Sequence, residues 1–451
     1  MSGKTEQWSS RLGFILSSAG AAIGLGAIWK FPYVTGMSGG GAFFLIFVLF
    51  TVLIGLPLLL AEFIIGRGAG KEAVSAYKKL APKSMSIWIG RLGVVGCFLL
   101  LSFYSVVGGW VLIYSVMAML GQVIGDGASY GALFETVIGT PWITIVGLLV
   151  FTLLNVLVVA SGIQAGIEKA NKYMMPLLFI FFLILVVRAL TFDGAWEGVK
   201  FFLAPDFSNI TRESILYALG QSFFSLAVGF SCMVTYSSYL KKDVSLPQSA
   251  STVVSLNILV SLLAGLAIFP VVFAFGYEPA EGPGLLFIVL PSIFSEIPFG
   301  SVFLALFLLL FLFATLTSSF SLYEIIVAAV TENRKTPRTP STWGVGFIIF
   351  IAAIPSALSS SVLSNVAIRG KSIFDATDFV VSNLLLPVGN FFIALFIVHK
   401  MKEHLVKEEF YLANSLSSTA YTIWHTLMKW VIPLTIVIVL FNTLGIWEKF
   451  Q

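Results

Sequence analysis

Eleven stretches of mostly apolar residues follow one another along the chain, with little between them. They fall at about 12–35, 41–66, 88–123, 141–161, 166–190, 214–240, 250–276, 301–331, 342–361, 373–399 and 421–446. A helix needs roughly 20 apolar residues to cross a bilayer, and only a helix or a closed barrel satisfies its own backbone there. The pattern predicts an all-α polytopic membrane protein of about eleven transmembrane helices. Composition agrees: 58% of residues are hydrophobic and 11% charged, where a soluble domain carries about a quarter charged. A net charge of +4 over 451 residues is too dilute for a nucleic-acid face, so the lipid bilayer is the expected partner. The longest polar stretches, about 191–213 and 277–300, are loop-sized. Residues 1–451 therefore read as one transmembrane domain. The Pro-bounded apolar run 283–295 reads as a re-entrant or surface helix in an outer loop, and Cys97 and Cys232 read as packing residues.

Lysine and arginine set the expected orientation. With the N-terminus inside, the inner segments hold 19 of these residues and the outer segments 7. The N-terminus is then cytoplasmic and, with an odd number of spans, the C-terminus outside. The opening residues are too polar for a cleavable signal, and the short termini suit a prokaryotic inner membrane.

Two spans are interrupted by small residues. Span 1 carries Gly20, Ala21, Ala22, Gly24, Gly26 and Ala27, and span 6 carries Ser225, Ala227 and Gly229. The breaks lie five spans apart, as expected of two inverted five-span repeats that each open with a broken helix. The repeats would cover about 12–190 and 214–399, with 421–446 as an extra helix. An unwound turn at membrane depth is tolerated where it lines a cavity. Its half-helix N-termini favour a carboxylate and its free carbonyls favour cations, which together suit a small zwitterion. A Gly20-x-x-x-Gly24 pair alone also fits ordinary helix packing; two clusters at matching positions favour a site. Span 8 adds Thr315, Thr317, Ser318 and Ser319 inside a run of Leu and Phe. Some of these hydroxyls would bond back to their own helix, and hydroxyl and carbonyl oxygens also suit a hard cation.

At these residues the chain resembles the neurotransmitter:sodium symporter family, and its bacterial amino-acid transporters most. The likeness runs through Trp8-Ser9-Ser10-Arg11-Leu12-Gly13, Lys30-Phe31-Pro32, Gly39-Gly40-Gly41-Ala42-Phe43, Gly55-Leu56-Pro57, Glu62 and Gly66-Arg67. It continues through Gln221-Ser222-Phe223-Phe224-Ser225, Tyr236-Ser237-Ser238-Tyr239 and Leu316-Thr317-Ser318-Ser319. The resemblance implies a sodium-coupled symporter for hydrophobic amino acids, aliphatic and aromatic, working by alternating access. It implies a first sodium site from the Ala22 carbonyl, Ser225, Asn257 and the substrate carboxylate, with Ala27 where the family carries Asn. It implies a second site from the Gly20, Ile23 and Ala314 carbonyls and the Thr317 and Ser318 hydroxyls. The implied substrate pocket is Ala22, Gly24, Leu25, Gly26, Leu100, Tyr104, Phe224, Ser225, Ala227, Phe230, Ser318 and Leu322. Lys30 and Asp378 take the outer charged pair, with Tyr104 and Phe230 as an aromatic lid. Glu332 and Tyr239 take the inner gate above Trp8, with Lys4 substituting for the family arginine that is Thr5 here. Gly166 and Pro176 match positions associated with unwinding of span 5. Chloride is a further implied ion, through Ser261, Gln221 and Asn257, although the family's Tyr is Phe47.

Two other classes compete. An intramembrane enzyme needs a nucleophile–base pair or metal ligands. The histidines, His399, His404 and His425, lie near the expected cytoplasmic ends, and no H-E-x-x-H occurs. An ion channel or receptor on the same fold would lack a closure on each side of the site.

Overall fold

The computed structural model describes residues 6–125, 129–277, 282–334 and 336–444. Among them the regular structure is helical, and nine helices are long and apolar enough to cross a membrane. These are Gly41–Ala69, Ile87–Met119, Pro141–Ala160, Ile163–Ala189, Leu246–Ala274, Gly300–Glu332, Arg338–Ala357, Ile373–His399 and Ser418–Thr443. They are spans 2 to 5 and 7 to 11 of the sequence pattern. Span 1 is a pair of halves, Arg11–Ala22 (1a) and Gly26–Met37 (1b), bent by 50°. Span 6 is Arg212–Ser225 (6a) and Cys232–Ser238 (6b), each half too short to cross alone.

Both breaks fall on the small-residue clusters. Span 1a ends at Ala22, with Ile23 at φ −90° and ψ 82° as its cap, and 1b opens with a wide π turn, Gly26–Lys30. In span 6 the unwound segment passes through positive φ at Ala227 (52°), Gly229 (108°) and Ser231 (59°). Only glycine takes such angles without strain, so the Ala227 and Ser231 backbones must be held from outside. Glu62 of span 2 holds the residues beside them. Its carboxylate, wholly buried, accepts the Gly229 N–H at 2.7 Å and the Met233 N–H at 3.1 Å. Asn390 of span 10 donates to the Val228 carbonyl at 3.2 Å. At Gly229 any side chain would strike Asn390 and the Leu386 carbonyl, within 2.7 Å of its Cβ.

Two details add to the sequence reading. Of the two expectations for the run 283–295, a re-entrant or a surface helix, the surface one does not hold, since the run turns inward. It forms a 3₁₀ turn, Gly282–Leu285, and a short helix, Val289–Ser295. Leu286, Phe287, Val289 and Leu290 are buried, and the Phe287 ring stacks on Phe134 with centroids 5.3 Å apart. The segment is a buried plug over spans 3 and 8. Span 5 is wound through Pro176: Ile163–Glu168 is a π turn and Lys169–Ala189 a continuous helix. Cys97 and Cys232 are free and buried, their sulfurs 3.3 Å apart.

Glu62→Met should remove both acceptors and leave two buried N–H groups. At about 1–3 kcal/mol for each orphaned donor, the purified variant should melt several degrees lower and lose ligand binding. A variant that melts like the wild type would show that the break does not depend on Glu62.

Candidate functional site

The two breaks meet spans 3, 8 and 10 around a narrow cavity of about 20 Å³. It is lined by Ala22, Gly24, Leu25, Gly26, Leu100, Tyr104, Phe224, Ala227, Phe230, Ser318, Leu322 and Leu386. Of the expected pocket residues, all but Ser225 line it. Leu386 of span 10 is the addition that the sequence did not reveal.

The polar end of the cavity is backbone. Gly24, Leu25 and Gly26 enter span 1b, whose N-terminus presents peptide N–H groups. Tyr104, buried in the middle of span 3, places its hydroxyl 3.3 Å from the Thr315 carbonyl. A Cβ on Gly24 would lie 2.5 Å from Ser318 Oγ and 2.8 Å from Tyr104 Oη. That position must therefore stay glycine. The other end is apolar: Leu100, Phe224, Ala227, Phe230, Leu322 and Leu386.

Oxygen atoms gather on either side of Ala22. Asn257 Nδ2 donates to the Ser225 carbonyl at 2.9 Å and to the Ala22 carbonyl at 3.4 Å. Ser225 Oγ donates to Asn257 Oδ1 at 3.2 Å. This cluster is the expected first cation site, and Ser225 contributes both its hydroxyl and its carbonyl. Ala27, buried, adds no side-chain oxygen. On the other side, Ser318 Oγ donates to the Ala21 carbonyl at 2.7 Å and Thr317 Oγ1 to Ala314 O at 3.1 Å. A Cβ on Gly20 would be 3.0 Å from Thr317 Cβ, so span 8 lies directly against the end of 1a beside Ile23. Among the described residues no three His, Cys, Asp or Glu side chains cluster as metal ligands. The oxygens gathered on both sides of Ala22 are neutral carbonyl, hydroxyl and amide oxygens.

One closure lies on the face opposite the N-terminus. Lys30 Nζ is 3.6 Å from Asp378 Oδ2, both part-exposed, and stands 4.9 Å above the Phe224 ring. Beyond it opens a vestibule of about 300 Å³ lined by Lys30, Glu213, Tyr217, Gln221, Phe379 and Ser382. Phe224 lines both spaces. It is therefore the lid, in place of Phe230, whose ring is packed against Gly96 of span 3.

The other closure is thicker. Trp8, 2% exposed, donates its indole N–H to the Tyr236 carbonyl at 2.7 Å and packs edge-on to Phe14, Tyr236 and Tyr239. The segment around it is clasped to span 5. Ser9 N–H and Oγ reach Glu168 at 2.8 and 2.5 Å, and Glu6 accepts the Ile163 N–H at 3.2 Å. Of the two residues expected at the inner gate, Tyr239 stands beside Trp8 and Glu332 is engaged elsewhere. Tyr239 Oη donates to Glu324 at 2.8 Å. Glu324, wholly buried, also takes the Arg338 guanidinium, which donates to the Val159 carbonyl at 2.9 Å. Glu332 instead pairs with Lys71 and accepts the Glu72 N–H at 3.3 Å. Burial pushes the neighbouring Glu72 carboxyl above its ordinary range, against its hydrogen bonds to Ser75 and Val74. Residues 4 and 5, where Lys4 was expected to stand in for arginine, lie outside the described residues. Sequence reasoning missed Glu324 and Arg338. A carboxylate inside the apolar run of span 8 was the available signal, because such residues are rarely placed there without a role.

The sequence profile of the sodium:neurotransmitter symporter family matches residues 5–124 and 136–449. The chain belongs to the sodium:neurotransmitter symporter family. It is similar to the uncharacterized sodium-dependent transporter YhdH of Bacillus subtilis, 52% identical over 444 residues, 98% of each chain. It is 37% identical to an uncharacterized sodium-dependent transporter of Haemophilus influenzae, over 97% of this chain and 98% of that one. Its fold matches the crystal structure of MhsT in complex with L-phenylalanine, with a TM-score of 0.91 and 40% identity, over 98% of this chain and all of that one. As a member of this family the protein is an integral-membrane, sodium-dependent transporter, and the cavity between the broken helices is its candidate substrate site.

The two acids of span 8 should respond differently to substitution. Arg338→Leu strands a buried carboxylate and should cost about 3–5 kcal/mol, read as a large fall in melting temperature. Glu332→Gln breaks a part-exposed pair with Lys71 and should cost under about 1 kcal/mol. The reverse order would restore Glu332 to the inner closure.

Proposed function

We propose that the protein imports hydrophobic L-amino acids, aliphatic and aromatic, by sodium-coupled symport with alternating access. The observation that carries this reading is the two-part chemistry of the cavity. A backbone N-terminus with Tyr104 forms one end and an uninterrupted apolar wall the other, with no charged side chain lining it. The N–H groups of Leu25 and Gly26, with Tyr104, would take a carboxylate. Carbonyls near Ala22 and Phe224 would take the amine. The wall would take a side chain from valine to phenylalanine, and the similar MhsT structure holds L-phenylalanine. A closure on each side of the cavity supports a carrier over an open channel.

In this reading two sodium ions bind. Ala22, Ser225 and Asn257 hold the first beside the substrate carboxylate. The amide nitrogen of Asn257 faces two carbonyls, the pair of oxygens that a cation would compete for. Gly20, Ile23, Ala314, Thr317 and Ser318 hold the second. Ser261 supports a chloride nearby, since its Oγ is buried and makes no hydrogen bond. Gln221, also named for chloride, is engaged with the Gly26 carbonyl at 2.6 Å. Residues 12–190 and 214–399 form the inverted repeats, and the chain sits N-terminus inward in a prokaryotic inner membrane.

Thr317→Val with Ser318→Ala removes two oxygens from a dry site and should abolish sodium-driven uptake while the protein still inserts. Normal sodium affinity in purified double variant would overturn the second site.

Proteoliposomes should accumulate phenylalanine and leucine with sodium and ignore phenethylamine and isoamylamine. Losing a charged group from a matched buried site costs on the order of 10²-fold in affinity. Gly24→Asp should block uptake, by repelling the carboxylate and crowding Ser318. Equal competition by the decarboxylated amines would overturn the amino-acid reading, and uptake unchanged in gluconate would remove chloride.

A further inference from the structure

Asn171 of span 5 carries an oxygen that the fold leaves unused. Its side chain is wholly buried. Its Nδ2 donates to the Ile167 carbonyl, one turn back, at 2.8 Å. Its Oδ1 has no hydrogen-bond partner. Amide oxygens buried in a membrane protein are rarely left this way, because water cannot rescue them. The orphan is aimed at one place. Oδ1 lies 2.3 Å from the point where a Gly20 Cβ would stand, and that point is 3.0 Å from Thr317 Cβ. Asn171 thus fills the space that glycine leaves open at residue 20, beside two members of the proposed second sodium site.

Span 5 meets the Trp8 closure through Glu168, which lies three residues before Asn171 and is bonded to Ser9.

We infer that Asn171 supplies a further oxygen to the second sodium, directly or through one bridging water. This rests on the reading of the second site given above. The residue is a helix-interior Asn, a poor helix former, held where Ala or Leu would serve packing better.

The test is equilibrium sodium binding to purified protein, followed by sodium-dependent thermal stabilisation, together with the rate of sodium release after dilution. Asn171→Leu should weaken sodium binding about tenfold, as for a lost contact to a charged group. Asn171→Asp should shift it the opposite way and slow release. Substrate affinity at saturating sodium should stay within about twofold of wild type in both. A residue that only packs would move both variants in the same direction, and that result overturns the inference. So does sodium binding within about twofold of wild type in both. If Asn171→Leu does not fold, Asn171→Ala takes its place. The Thr317→Val, Ser318→Ala variant runs in parallel. If it loses sodium binding while the Asn171 variants do not change, Asn171 has no such role and the second site stands. If it keeps sodium binding, the site itself is wrong.

Discussion

The buried carboxylate of Glu62 is what lets span 6 stay broken. An unwound turn in a bilayer leaves peptide groups with no water to meet them, each costing several kcal/mol. Glu62 satisfies the N–H groups of Gly229 and Met233, Asn390 satisfies the Val228 carbonyl, and Asn257 the Ser225 carbonyl. A second consequence concerns charge. A half-helix N-terminus attracts an anion, and at 6b a resident carboxylate already fills that role. The N-terminus that faces the cavity is therefore that of 1b, at Gly24, Leu25 and Gly26. One break carries a built-in anion, and in the proposed reading the other takes the carboxylate of the substrate.

The two closures differ in kind. Outside the cavity stands one ring, Phe224, and one ion pair whose partners keep part of their hydration. Such pairs contribute about 0–1 kcal/mol. Lysine in place of arginine also removes any bidentate hold on Asp378. On the other side stand a buried indole, a clasp from Glu6 to Ser9 onto span 5, and the buried Glu324–Arg338 pair with Tyr239. Opening that face requires removing Trp8 from its socket and rehydrating several polar contacts together. The conformation described is thus a thin lid over a thick floor, and the lid is the cheaper part to open.

How far the sequence could be read depended on range. The spans were legible because hydropathy over twenty residues is a local property, and the breaks because small residues marked them. The lining of the cavity followed from the resemblance to the symporter family, carried over position by position. Leu386 was not legible: a leucine in an apolar helix carries no sign of which face meets the cavity. Phe230 and Phe224 are both aromatics beside one break, and only the path of the unwound chain shows which ring covers the site. The inner pair failed for a related reason. Glu324 and Glu332 sit eight residues apart on one helix, so they face directions about 80° apart. Only the packing of span 8 against span 9 brings Arg338 to the deeper one.

The break in span 1 joins everything that must be coupled. Within three residues the Ala22 carbonyl faces Asn257, the Ala21 carbonyl holds Ser318, and Gly20 lies against Thr317. The end of 1a is the negative end of a helix dipole, and the start of 1b is the positive end of another. A cation at the first and a carboxylate at the second stabilise the same broken conformation, so each favours the other without any longer path between them. In the proposed cycle, one sodium moving down about 100 mV and a tenfold gradient supplies roughly 3.7 kcal/mol. Two supply roughly 7 kcal/mol, enough to concentrate a neutral amino acid about 10⁵-fold. That work is available only if neither ion crosses without the substrate. In the proposed arrangement the substrate carboxylate is itself a ligand of one sodium and both ions lean on the backbone at the end of 1a, which would tie the ions to the substrate.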